Sequence, residues 1–205
     1  RYMFCFKRVV AILFLVLCLI ADCRASSPAK NLIIKSMPDV TVVFVNPASM
    51  PKVEGSEAKK DMSYDLTLDS RSDSVSFTAS VLTASPTVID MVQITYGDSC
   101  VSLPVEKIFI EPEGSAWQSR LRVYIPKDLF NNLLYCEYSP TFTWGTDASA
   151  PMFRHKTDKW LSVRQTFRLA DEVIGRNRVY ERPSKNILND IENDIEQGME
   201  EFLGL

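Results

Sequence analysis

The sequence has little histidine and little glycine, and each scarcity excludes a class of protein. Its one histidine, His155, allows a His-based triad only one base and deprives a zinc site of its commonest ligand. Seven glycines exclude a collagen-like chain. The net charge of −3, with 24% charged residues, argues against a general nucleic-acid binder. A globular domain remains, because 46% of the residues are hydrophobic.

The motifs of several enzyme classes are also missing. HExxH, GxSxG and P-loop patterns do not occur. Ser56 and Lys59 match the SxxK pattern of penicillin-recognising enzymes, but they lie in a charged segment without the periodicity of a buried helix. We interpret His155, between Arg154 and Lys156, as a solvated side chain rather than a catalytic base. The sequence therefore predicts a non-enzymatic protein without a cofactor or a metal.

The longest apolar run is too short for a membrane span and indicates export. It holds 13 residues, follows Lys7 and Arg8, and ends at Ala21. A spanning helix needs about 20 apolar residues, whereas a signal peptide needs about 7 to 15. We predict a signal peptide over residues 1–25, cleaved after Ala25, and a periplasmic or extracellular mature protein with no membrane span.

Two alternatives for this segment stay open. Residues 20–23 loosely match a lipobox, which would anchor the protein through Cys23, although Asp22 stands where a small residue is wanted. The other alternative is an uncleaved anchor. Whether the exported protein is attached to the envelope therefore also stays open.

Two cysteines, Cys100 and Cys136, follow the predicted cleavage site. In an exported chain such a pair predicts a disulfide, which would close a loop of about 36 residues. Two buried free thiols are the alternative. Neither cysteine belongs to a CxxC motif, so thiol–disulfide catalysis is not expected.

The central part of the chain has the pattern of a mainly β protein. Residues 74–82 alternate strictly between apolar and polar, which predicts a strand with one buried face. A charged, turn-rich loop is predicted over residues 50–61. Turn residues also separate the other predicted strands, which cover residues 40–45, 62–68, 87–96, 105–110, 119–125 and 133–138. Together these segments predict an antiparallel β-sandwich domain over residues 31–182.

The predicted strands include, in order, SVSFTASV, VIDMVQITYGD, WQSRLRVYIP and LLYCEY. This order resembles immunoglobulin-like and fibronectin-like modules of exported bacterial proteins. The resemblance covers about residues 40–142 and implies an immunoglobulin/fibronectin-like sandwich. It implies no functional residue, because Cys100 departs from the antibody-type pattern and a fold does not determine a function.

The composition changes after residue 142. Residues 152–182 contain eight Lys or Arg against four Asp or Glu. Residues 160–169 are predicted as a closing strand from their Val, Thr and Phe content, with a helix as the alternative.

Residues 183–205 predict a C-terminal amphipathic α-helix with Ser184 as its N-cap. Its apolar stripe is a candidate partner-docking surface and contains Ile187, Ile191, Ile195, Met199 and Phe202. Its polar face is acidic, which favours docking on a protein over a membrane.

Two other groups of side chains are candidate binding sites. Tyr135, Trp144 and Trp160 would stack on sugar rings or on a partner if they formed an exposed row, and burial in the core is the alternative. Asp65, Asp69 and Asp73 offer oxygens to Ca²⁺. Because they lack the spacing and glycine of a calcium loop, we interpret them as a solvated turn.

Three functions are consistent with these patterns. We expect an exported, non-enzymatic β-sandwich that binds a protein or glycan partner at the cell envelope. One alternative is a structural or assembly component that docks through its acidic C-terminal helix. The other is a hydrolase with an unrecognised site, for which a pocket with several convergent polar groups would be the distinguishing feature.

Overall fold

The computed structural model describes residues 28–147 and 149–178. The predicted signal peptide lies outside the described residues. The predicted C-terminal helix, with the stripe from Ile187 to Phe202, also lies outside them.

The described chain contains ten strands, two α-helices and a short 3₁₀ turn at Pro28–Asn31. The strands are β1 (Leu32–Met37), β2 (Val40–Met50), β3 (Met62–Asp69), β4 (Ser74–Thr83), β5 (Met91–Tyr96), β6 (Ser99–Pro104), β7 (Glu106–Glu113), β8 (Ala116–Pro126), β9 (Thr141–Trp144) and β10 (Met152–Phe153). The helices are α1 (Lys127–Tyr135) and α2 (Thr157–Arg178). None of these helices has both the length and the apolar character that a membrane crossing requires.

The strands form two antiparallel sheets. The larger sheet has six strands in the order β1-β2-β3-β4-β8-β7, and the smaller has four in the order β10-β9-β5-β6. The mainly β class with a sandwich-like pair of antiparallel sheets is therefore confirmed. Gly97, at a φ of 52°, lies in the turn between β5 and β6, directly after the end of the strand predicted over residues 87–96, where a separating turn residue is expected.

The core lies between the inner face of the six-stranded sheet and a cover made of the smaller sheet and both helices. Phe77 of β4 stacks on Phe142 of β9, with ring centroids 5.0 Å apart, and so joins the two sheets. Phe167 of α2 contacts Tyr64 of β3 edge-to-face at 6.5 Å. The buried face predicted for residues 74–82 is confirmed, because Val75, Phe77, Ala79 and Val81 are all buried on this inner face. The opposite face is only partly exposed, because Thr78, Ser80 and Leu82 are buried as well.

Strand β2 is longer than predicted. The sequence prediction ends the strand at Val45, before Asn46 and Pro47, whereas β2 continues to Met50. The register with β3 shifts between Val45 and Ala48, which places Asn46 and Pro47 in a bulge. A bulge tolerates proline because it does not need a ladder hydrogen bond from every residue, so the proline bends this strand without ending it.

The prediction of a strand over residues 133–138 is wrong. Helix α1 covers the first half of this segment, residues 133–135, and no strand forms over residues 136–138. The helix buries Leu129, Phe130, Leu133 and Leu134. These positions recur every four residues, which is the spacing of one helix face. The segment that begins at Leu133 contains only the last turn of this helical pattern. A piece this short does not show the helical period, so it is easily mistaken for a strand.

The prediction of a strand over residues 160–169 is also wrong, and its helical alternative is correct. Trp160, Val163, Phe167, Ala170 and Ile174 are buried on one side of α2. Their spacing of three and four residues is helical, and burial of this stripe outweighs the β preference of Val, Thr and Phe.

Helix α2 also holds the C-terminal end of α1. Trp160 Nε1 and Arg164 Nη1 donate hydrogen bonds to the carbonyl of Cys136, at 3.2 and 2.7 Å. Arg168 Nη2 donates to the carbonyl of Leu134 at 3.1 Å. The last carbonyls of a helix lack intrahelical partners and carry partial negative charge, so the two arginines supply both hydrogen bonds and opposite charge.

The predicted disulfide is absent, because Cys100 and Cys136 are both free. Cys100 is exposed on β6, and its Sγ lies 3.6 Å from the Thr95 hydroxyl on the neighbouring strand. The Cys136 thiol donates to the carbonyl of Asn132, at 3.4 Å. Burial raises the pKa of the Cys136 thiol, and the charge of Arg164 opposes that effect. The two thiols thus have different hydrogen-bond partners, Thr95 for Cys100 and Asn132 for Cys136, and they are not bonded to each other.

Candidate functional site

A groove of about 600 Å³ crosses the outer face of the six-stranded sheet. We call it the sheet groove. Five neighbouring strands contribute to it, β2, β3, β4, β8 and β7, and with a spacing of about 4.8 Å between strands its floor extends roughly 19 Å. The lining residues are Phe44, Asp65, Thr67, Asp69, Ser72, Ser74, Ser76, Thr78, Ile108, Phe109, Arg120, Arg122 and Tyr124.

An ionic network built from three strands forms the centre of the floor. Arg120 projects from β8 and donates from Nη1 to the Ser80 hydroxyl of β4, at 3.0 Å. Its Nη2 donates to the Asp65 carboxylate of β3. The side chains of Arg120 and Asp65 are only about a quarter exposed, at 25% and 26%. A planar guanidinium held at two points is a rigid element of the floor, and it aligns three strands with one another.

Hydroxyl groups cover the floor beside this network. Ser74, Ser76 and Thr78 lie two residues apart on β4, so their side chains share the outer face of the sheet. Thr67 lies on the outer face of β3, directly opposite Ser76. Each hydroxyl offers a donor and an acceptor. Thr78 is buried and the Ser74 hydroxyl shares a hydrogen bond with Ser72, at 3.1 Å. The half-buried Ser76 and Thr67 are therefore the hydroxyl residues of the floor that a ligand can meet.

Apolar side chains form the two walls of the groove. Tyr124, Phe109 and Ile108 stand on the β8–β7 side and are 52%, 38% and 41% exposed. A register shift in β7 between Lys107 and Phe109 brings Ile108 and Phe109 to the same groove. Phe44 stands on the β2 side, with the Lys35 ammonium 5.7 Å from its ring centroid. Exposed aromatic rings beside a polar floor mark an interaction surface rather than a core.

The charges of the groove balance one another. Arg120 pairs with Asp65, and Arg122 Nη1 lies 3.5 Å from the Glu106 carboxylate at the edge of the groove. Both cations are thus compensated. A strongly anionic ligand finds no free positive charge on this floor, whereas an uncharged ligand rich in hydroxyl groups meets complementary donors and acceptors.

The three aromatic residues predicted to bind a ligand do not form one exposed surface. Tyr135 is 80% exposed and lies under the Arg168 guanidinium, which is 5.6 Å from its ring centroid. Trp144 is fully buried on the inner face of β9, and Trp160 is 2% exposed within α2. The alternative of burial in the core is therefore correct for both tryptophans.

The three aspartates considered for Ca²⁺ do not converge. Asp65 pairs with Arg120, while the Asp69 carboxylate accepts the backbone N–H of Arg71, at 2.8 Å, as in a turn. The carbonyl of Asp73 accepts the N–H of Lys127 at the start of α1. Within residues 28–147 and 149–178, no group of three or more His, Cys, Asp or Glu side chains is arranged to hold a metal ion.

His155 is buried, so its prediction as a solvated surface residue is wrong. It is 3% exposed, and its Nε2 lies 2.8 Å from the Tyr64 hydroxyl on the inner face of β3. Its backbone N–H donates to Ser139 Oγ at 3.1 Å. Burial, reinforced by the charge of Lys159, lowers the pKa of His155 to about 4, and burial raises the pKa of Tyr64.

The sheet groove is not predictable from local sequence patterns, although one part of it appears in them. The alternating hydroxyl residues of β4 are the polar face of the strand predicted over residues 74–82. The partners of this face lie on other strands at distances that no local pattern reports. Arg120, for example, is 55 residues from Asp65 in the chain. No protein-family model matches the chain, and no curated protein or solved structure has significant similarity to it.

Proposed function

We propose that this protein is an exported, non-enzymatic binding protein that recognises a neutral glycan in the sheet groove. The observation that carries the proposal is the combination of a hydroxyl-rich, charge-compensated floor with exposed aromatic walls. The signal peptide predicted over residues 1–25 supports export, because its apolar run has the length of a signal-peptide core.

The chemistry of a sugar ring supports this choice of ligand. A sugar presents hydroxyl groups around its edge and apolar C–H groups on its faces. Tyr124 and Phe109 offer apolar surfaces to the C–H faces, while Ser76, Thr67 and Arg120 offer hydrogen-bonding groups to the edge. The groove therefore suits a short oligosaccharide lying across the strands.

The proposal includes a relation of this domain to immunoglobulin-like and fibronectin-like modules. This relation is supported by β4, β5 and β8, which overlap three of the four segments that carry the resemblance, and by the presence of two antiparallel sheets. The fourth segment, LLYCEY, begins in helix α1 and gives no support. Sheet faces in such domains are suited to binding because the backbone of the strands holds the contacting side chains rigidly.

Replacing Tyr124 with alanine is expected to weaken glycan binding about tenfold. The ring is half exposed and makes its contact with the ligand rather than with the core, and losing its burial costs about 1.5 kcal/mol, which is a factor of about ten in Kd. The measurement is a screen of the full chain on an array of neutral oligosaccharides. Isothermal titration with the best ligand then compares the native protein with the variant.

The matched control is Tyr138→Ala, because Tyr138 is also an exposed tyrosine, at 68%, and does not line the sheet groove. It should bind the ligand as the native protein does. Equal binding by native protein and the Tyr124 variant, or the absence of any neutral-glycan ligand, would overturn the proposal. Capture of a protein partner that depends on Tyr124 would favour the protein-binding alternative, and shortened oligosaccharides after incubation would favour the hydrolase.

A further inference from the structure

A second cleft, of about 510 Å³, lies where three segments of the chain meet. It shares no lining residue with the sheet groove. The segment after β2 contributes Lys52 and Glu54, the loop between α1 and β9 contributes Ser139, and the segment from β10 into α2 contributes Arg154 to Thr157. Backbone hydrogen bonds hold the segments together, among them Arg154 N–H to the Pro51 carbonyl at 3.0 Å. We call this site the basic cleft.

The basic cleft has an excess of positive charge. Lys52, Arg154 and Lys156 line it, with Glu54 as the acidic residue among the lining side chains. In the part of the chain that the structure describes, none of these three cations takes part in an ion pair. The charge of the cleft is therefore available to a ligand, in contrast to the compensated charges of the sheet groove.

The start of α2 adds to this positive potential. Thr157 lines the cleft and is the first residue of a helix of 22 residues. The first N–H groups of a helix lack intrahelical acceptors, and the helix dipole places partial positive charge at this end. Such a helix end favours an anionic group.

An independent observation concerns His155, which lines the same cleft. The Tyr64 hydroxyl and His155 Nε2 share a hydrogen bond of 2.8 Å, and which of them donates depends on the tautomer of the ring. We assign the hydroxyl as the donor, because the opposite choice would leave both the hydroxyl proton and Nδ1 without a partner among the described residues. With this assignment, the neutral ring carries its proton on Nδ1. This Nδ1 is buried and has no partner among the described residues. A buried donor without an acceptor is unfavourable and points to a group that is missing from the protein alone.

We propose that the basic cleft binds a phosphate monoester. Arg154 and Lys156 compensate its charge, the first turn of α2 donates backbone hydrogen bonds, and the His155 ring, which lines the cleft, supplies the remaining donor from its buried Nδ1–H. The dianion matches an excess of two positive charges better than a carboxylate does. The phosphate group belongs either to a soluble phosphorylated molecule or to a lipid headgroup, and the experiment separates the two sources.

Because His155 is the only histidine of the chain, its ring nitrogens give unambiguous NMR signals. The experiment uses the full chain labelled with ¹⁵N-histidine and titrated with inorganic phosphate as the probe. We expect a ring protonated on Nδ1 and a saturable shift of the Nδ1 signal. The double variant Arg154→Ala/Lys156→Ala should weaken phosphate binding at least about tenfold, because it removes two charge-assisted contacts. Glu54→Gln should tighten it, because it removes the opposing charge.

Lys107→Ala is the matched control, since Lys107 is an exposed lysine on β7 that lines neither site. It should bind phosphate as the native chain does. A second titration uses phosphatidylcholine vesicles containing phosphatidic acid. Binding to these vesicles that is lost in the double variant indicates a lipid headgroup. Binding of free phosphate without binding to the vesicles indicates a soluble ester. No shift of Nδ1 at millimolar phosphate, or a shift that the double variant leaves unchanged, overturns the proposal.

Discussion

Replacing Phe77 with alanine is expected to lower the free energy of unfolding by about 3 to 5 kcal/mol. Phe77 is 2% exposed and stacks between Tyr64, at 5.1 Å, and Phe142, at 5.0 Å. It also contacts Trp144 at 6.3 Å. These rings belong to both sheets, so the substitution opens a cavity at the contact that joins them. Urea denaturation followed by tryptophan fluorescence measures the change.

The control for this prediction is Phe109→Ala, which deletes the same side chain from a site that is 38% exposed. Its cost should stay below about 1 kcal/mol, because little apolar surface leaves the core. The comparison holds the chemistry of the deletion constant and changes only the burial. Similar losses for the two variants would contradict the view that Phe77 joins the two sheets.

The second large effect is a loss of stability on mild acidification that depends on His155. In the folded protein, burial and the charge of Lys159 hold the pKa of His155 at about 4, below the ordinary value of 6.5. As the pH falls below about 6.5, the unfolded chain binds the proton first and is stabilised. The free energy of unfolding is therefore at its maximum above pH 6.5 and decreases by about 3 kcal/mol as the pH approaches 4.

The variant His155→Gln isolates this contribution, because the chain has no other histidine. The amide oxygen of glutamine can still accept a hydrogen bond from the Tyr64 hydroxyl, but the side chain does not ionise. The variant should be less stable than the native protein at pH 8, and the difference should shrink as the pH falls from 6.5 to 5, before most carboxylates titrate. Denaturant midpoints at several pH values give the result. Parallel pH profiles for the two proteins would show that His155 is not held neutral by the fold.

The strands of the six-stranded sheet were largely predictable from the sequence. Their alternation is a local pattern of period two, and burial of one face requires only that some apolar partner covers it. The residues predicted to face the core in β4 therefore do so, whatever covers them. The helices were predicted less well, because α1 and α2 contain residues that favour strands and a short window shows too little of the helical period.

The candidate sites were less predictable than the fold. The sequence indicated that His155 has charged neighbours, but its burial depends on Tyr64, which is 91 residues away in the chain. The aromatic residues in the second half of the chain were visible, but whether each faces the core or the solvent depends on the element that carries it. Tyr135 ends α1 and is exposed, whereas Trp160 lies on the buried side of α2.

The mainly β class and the buried faces of the strands could be inferred without coordinates, because both follow from residues that are neighbours in the chain. The role of the polar face of β4 in the sheet groove, and the presence of His155 in the lining of the basic cleft, became visible only in the folded protein. These sites are made by pairs such as Arg120 with Asp65 and His155 with Tyr64. Their partners come together only when separate strands pair and pack, and no local periodicity records that pairing.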